Sequence, residues 1–153
     1  MSRGLKGFVA RIVMLLCLFL WGCFLVAPVN ITGTWMGTME WTSGPKAGFV
    51  DPITLTLVHS DRELTGTVRL PSPGGLSFSL PIVQGSTRNA DLFLIARGTN
   101  AQVPGNPMVE FQIDGEFEQE VMSGDGTQSI DGKVYAFTWQ AVLTTDPVAP
   151  AGL

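Results

Sequence analysis

Val109-Glu110-Phe111-Gln112-Ile113-Asp114-Gly115-Glu116-Phe117-Glu118 alternates at every position. Val109, Phe111, Ile113, Gly115 and Phe117 point one way, and Glu110, Gln112, Asp114, Glu116 and Glu118 point the other. Side chains of an extended chain alternate between the two faces of a sheet, so this stretch predicts a strand with one face in a core and one in water. A chain that keeps this pattern throughout is all-β.

Outward from this strand, the same period of two recurs from Thr32 to Thr144. Eight short strands are expected, at residues 32–41, 52–59, 63–70, 76–83, 91–97, 109–118, 127–130 and 133–144. The first places Gly33, Trp35, Gly37, Met39 and Trp41 on one face. The last sends Tyr135, Phe137, Trp139, Ala141 and Leu143 inward. Turn chemistry separates them: Ser60-Asp61-Arg62, Pro71-Ser72-Pro73-Gly74-Gly75, residues 85–89, residues 99–107 and Ser123-Gly124-Asp125-Gly126. No segment after residue 31 shows a helical period. Strands about ten residues apart with short connections suggest a sandwich or an up-and-down barrel. Closure removes the open edges that a flat sheet would leave. The expected fold is an eight-stranded antiparallel up-and-down barrel behind an N-terminal signal helix.

The start of the chain reads differently. Arg3, Lys6 and Arg11 precede an apolar run from Ile12 to Trp21, and Leu20-Trp21-Gly22-Cys23 closes it. A basic region, a short apolar core and a small residue before a cysteine make a secretory leader. The closing four residues resemble the lipobox of bacterial lipoproteins, although Trp21 stands where that family usually has a small residue. The resemblance implies cleavage before Cys23 and attachment of acyl chains, such as palmitate, to Cys23. It implies a location in the cell envelope, anchored to a membrane, the outer membrane where the host has one. Two other readings stay open. An uncleaved anchor would use Ile12 to Ala27, 16 residues where a spanning helix wants about 20. Ordinary cleavage after Ala27 would release the domain. On the lipobox reading, residues 1–22 are the signal peptide, 23–31 a lipid-anchored tether, 32–145 the barrel domain and 146–153 a disordered tail. Residues 24–31 would hold the barrel within about 30 Å of Cys23.

Removing the leader also changes the composition. Only Cys17 and Cys23 are present, so the remaining chain has no disulfide and no cysteine metal ligand once Cys23 is acylated. Six basic residues face thirteen acidic ones, a net charge of −7. That argues against nucleic acid, whose phosphates call for a basic face, and against a polybasic grip on anionic lipid.

Ile31-Thr32-Gly33-Thr34-Trp35 resembles the opening strand of the avidins, and Gly33-x-Trp35 is similar to the first-strand signature of the lipocalins. Leu64-Thr65-Gly66-Thr67 resembles the avidins' third strand. Both families are eight-stranded barrels, and the resemblance implies a small apolar or amphipathic ligand inside. Met36-Gly37-Thr38 replaces the asparagine and serine with which avidins hold biotin, so biotin is not carried over. Lipocalins usually set an arginine late in the barrel against the first-strand tryptophan; here Arg97 is the nearest candidate.

Trp35, Trp41, Phe111, Tyr135, Phe137 and Trp139 are the candidate lining of an apolar cavity, or equally the packing of a filled barrel. The lone His59, beside Ser60 and Asp61, is expected as a solvated turn residue, because neighbours in a hairpin point apart and cannot converge as a triad. One histidine and no free thiol predict no zinc site. Glu110, Asp114, Glu116, Glu118 and Glu120 predict a solvated acidic face. No catalytic constellation and no cofactor is expected. The expected function is non-enzymatic binding of a small hydrophobic ligand or lipid at a membrane. The alternative is a filled barrel acting through protein–protein contacts.

Overall fold

A computed structural model describes residues 30–144 of the chain. Eight antiparallel strands close into a barrel in chain order: β1 (Gly33–Trp41), β2 (Val50–Ser60), β3 (Glu63–Ser72), β4 (Leu76–Arg88), β5 (Asp91–Thr99), β6 (Met108–Glu118), β7 (Val121–Ile130) and β8 (Lys133–Leu143). Antiparallel pairing of β1 with β8, from Trp35 opposite Leu143 to Trp41 opposite Phe137, makes the closure. The all-β up-and-down barrel expected from the alternation is the fold. The expected signal peptide, Cys23, residues 24–29 of the expected tether, residue 145 and the expected tail 146–153 lie outside the described residues.

The alternation on β6 is realised as read. Val109, Phe111, Ile113 and Phe117 are buried, while Asp114, Glu116 and Glu118 are exposed. Around the barrel the outer wall carries Glu40, Arg69, Arg97, Asp114, Glu116 and Asp125.

Two turn expectations are corrected. Ser123-Gly124-Asp125-Gly126 lies inside β7, and the β6–β7 turn falls at Gln119-Glu120 instead. The glycines there serve packing. A Cβ on Gly124 would lie 2.5 Å from the Gly115 Cα and 2.1 Å from the Asp114 carbonyl oxygen. Trp139 stands opposite Gly124 and lays its ring over Gly115, while Phe137 covers Gly126. Aromatic rings thus fill the space that missing side chains leave in the sheet. Likewise, residues 85–88 continue β4 rather than looping. A bulge between Ile82 and Gln84 shifts the register, and Gly85 sits against the Leu64 carbonyl.

Connections alternate between the two ends of the barrel. One end is closed by the tight turns Asp61-Arg62, Asn89-Ala90 and Gln119-Glu120. The other end carries residues 42–49, the Pro73–Gly75 turn, residues 100–107 and the two-residue turn Asp131-Gly132. The chain enters at the tight end. There Ile31 is buried, and the Trp35 Nε1–H donates to its carbonyl at 3.0 Å. His59 is a clasp at this end rather than a solvated turn residue. Its Nδ1 accepts from the Ile31 N–H at 3.4 Å, its Nε2 meets the Thr87 hydroxyl at 2.9 Å, and its own N–H donates to the Thr32 hydroxyl. The hydrogen bond from Ile31 requires an unprotonated Nδ1, which leaves Nε2–H to donate to Thr87.

Candidate functional site

Most of the bore is filled. Trp35, Leu55, Leu57, Leu64, Val68, Leu80, Leu94, Ile113, Met122 and Trp139 are all buried in one apolar cluster. Near the loose end, Phe111 and Phe137 stack with centroids 5.0 Å apart, and Trp41 meets Phe137 edge-on at 5.5 Å. Above this aromatic plug the packing stops. A cavity of about 300 Å³ opens there, its wall built by Trp41, Phe78, Val103, Val109, Ile130 and Tyr135 together with four prolines. Ser43, Lys46, Asn100 and Gln128 are its polar groups.

The sequence supplies this opening through its loops. Residues 42–49 contain the 3-10 turn Gly44–Lys46, which packs against the Tyr135 ring. This loop is stitched to β8: the Thr42 N–H donates to the Ala136 carbonyl at 2.9 Å, and the Ala136 N–H donates to the Ser43 hydroxyl at 2.6 Å. Residues 100–107 are braced by Asn100, whose N–H donates to the Pro107 carbonyl and whose side chain donates to the Ser72 hydroxyl. Phe49, Val50, Leu76, Met108 and Val134, at or beside the loose-end starts of β2, β4, β6 and β8, are all more than half exposed, and none of them lines the cavity.

Lys46 brings charge to the edge but does not leave it free. Its Nζ lies 2.7 Å from the Asp51 carboxylate and 5.4 Å from the centre of the Trp41 ring. The Trp41 Nε1–H donates to the same carboxylate oxygen at 2.8 Å. Partial burial pushes the Asp51 carboxyl up. The hydrogen bonds from Lys46 and Trp41 and the Lys46 charge together outweigh this and hold it below its ordinary value. A depressed carboxylate contributes stability above the unfolded pKa, near 4, and loses it as pH falls through the folded value. Acid below about pH 4 should therefore loosen the Trp41 edge of the cavity before the barrel opens. The indole N–H resonance of Trp41 should move in that range in the wild type and stay fixed in Asp51→Asn.

Of the six aromatic candidates, Trp41 and Tyr135 line the cavity. Phe111 and Phe137 lie one inward position deeper, Trp139 lies beyond them, and Trp35 is near the opposite end. Phe78, Val103, Val109, Gln128 and Ile130 are lining residues that the sequence reading did not single out. Gln128 had a signal, as the polar member of the inward series Met122, Gly124, Gly126, Gln128 and Ile130. A turn drawn through Gly124 and Gly126 broke that series. Arg97 does not meet Trp35; it points outward and pairs with Glu110. Asp114, Glu116, Glu118 and Glu120 face solvent as expected, and no group of acidic, histidine or cysteine side chains among the described residues could hold a metal ion.

No family model matches the chain, and neither a curated protein nor a solved structure matches it either.

Proposed function

We propose that this chain is a cell-envelope lipoprotein whose barrel binds a small apolar ligand in the cavity at its loose end. The observation that carries this reading is the cavity. Ordinary cores are packed to crystal-like density, yet here apolar walls enclose about 300 Å³, at the small end of ligand sites. Apolar walls with a few polar groups among them are the usual composition of such a site. That volume accommodates a compact molecule and excludes a whole diacyl lipid. Binding rather than catalysis fits a lining whose one charged group, Lys46, is taken up by its ion pair with Asp51.

The leader supports a membrane anchor at Cys23. Asn30 stands at the tight end, so a lipid on Cys23 would turn the mouth of the cavity away from the anchoring membrane. The ligand would then be exchanged with whatever faces that membrane.

Native mass spectrometry after gentle extraction tests the binding. A small hydrophobe should travel with the protein or add to its mass from a panel of apolar compounds. A protein that keeps its bare mass throughout would refute the reading. The anchor is tested separately with radioactive fatty acid. Label should enter the wild type and vanish in Cys23→Ala; label that persists in that variant removes the lipoprotein assignment.

A further inference from the structure

Gln128 stands out against the cavity's apolar wall. It occupies an inward position on β7, in register between Phe111 on β6 and Tyr135 on β8. Only 7% of it is exposed, and it borders the cavity. Its amide makes no side-chain hydrogen bond to any described residue, whereas the other buried amide of the lining, Asn100, donates to Ser72 and accepts from the Gln102 N–H. Its amide atoms are not sealed away from solvent, so they open onto the cavity, where water or a ligand can pair with them. A donor and acceptor held inward at the edge of a mostly apolar cavity are groups that a ligand can engage.

We propose that Gln128 is the polar anchor of the ligand, and that the ligand is a neutral, compact apolar molecule with one carbonyl or hydroxyl group. The inference rests on the reading of the cavity as a ligand site. A primary amide presents a donor and an acceptor, so it pairs with either group. The charge follows from Lys46, the one cation of the lining, which is already held by Asp51 at 2.7 Å. An ionised carboxylate would surrender its hydration and find no free cation in return. Size follows from the cavity of about 300 Å³, which at ordinary packing density holds roughly ten to fifteen non-hydrogen atoms.

Calorimetric titration of the full chain with naphthalene, 2-naphthol, 2-acetylnaphthalene and 2-naphthoate at neutral pH tests this. Naphthol and acetylnaphthalene should bind about tenfold tighter than naphthalene, and naphthoate about tenfold more weakly than naphthol, as one hydrogen bond gained or one charge stranded would give. In Gln128→Leu, naphthalene should still bind while the advantage of naphthol disappears. If that variant loses the barrel's circular dichroism, Gln128→Met makes the same comparison. In Asp51→Asn, Lys46 is released and naphthoate should gain. An advantage for naphthol that survives loss of Gln128 overturns the anchor while leaving the cavity reading intact. Naphthoate binding tightest to the wild type, or gaining nothing in Asp51→Asn, overturns the neutral class. Failure of all four compounds removes the cavity reading and this inference with it.

Discussion

Trp139→Ala lowers the stability of the barrel by about 3–5 kcal/mol, the usual cost of deleting a large aromatic from a core. Trp139 is 3% exposed, and its ring covers Gly115 beside the Gly115–Gly124 cross-strand pair. Its Nε1–H reaches the carbonyls of Asp114 and Asp125 at 3.3 and 3.2 Å. Neither glycine has a side chain that could move into the space, so the hole persists. A total stability of about 5–15 kcal/mol is typical of a domain, so this one truncation removes a large share. Urea denaturation followed by circular dichroism measures it. A loss below about 1 kcal/mol would mean that the ring does not pack over the glycines.

Ile130→Trp weakens ligand binding about a hundredfold while leaving the barrel intact. Ile130 is half-buried at the loose end of β7 and lines the cavity. The larger ring grows into unoccupied space rather than into packed core, so the overpacking cost that such a change normally carries does not arise. Affinity for the best of the naphthalene compounds should fall by about a hundredfold, with an unfolding midpoint at or above that of the wild type. Unchanged affinity would place the ligand elsewhere.

The fold was legible because the chain signals it at nearly every position. Strict alternation on residues 109–118 and 133–143 needs no tertiary information, since it is set by the geometry of an extended chain. Asp61 and Asp131 fall in tight two-residue turns with positive φ, and Asp131-Gly132 is a pairing that such turns favour. What the sequence hid was the meaning of glycine. Gly85, Gly124 and Gly126 read locally as turn formers, yet each makes room for a neighbour from another strand: the β3 backbone, the Gly115 backbone and the Phe137 ring. Those neighbours lie 9 to 21 positions away in sequence, so only the register reveals them.

The cavity was half legible for the same reason. Aromatic composition pointed to Trp41 and Tyr135, but it could not separate them from Phe111, Phe137, Trp139 and Trp35, which alternate on the same faces. Depth along the barrel divides the six, and depth depends on which loops are long. His59 shows the converse. Its sequence neighbours suggested a turn, while its role comes from Ile31 and Thr87, each 28 residues distant.

The most direct test follows the indole N–H signals of the barrel tryptophans in a proton–nitrogen spectrum while 2-naphthol is added. Trp41 borders the cavity, whereas Trp35 and Trp139 are sealed in the packed bore. Binding at the loose end should shift Trp41 and the side-chain amide of Gln128 together, with Trp35 and Trp139 unmoved. Shifts of Trp35 or Trp139 without Trp41, or no shift at any of them at saturating compound, would contradict a ligand site in this cavity.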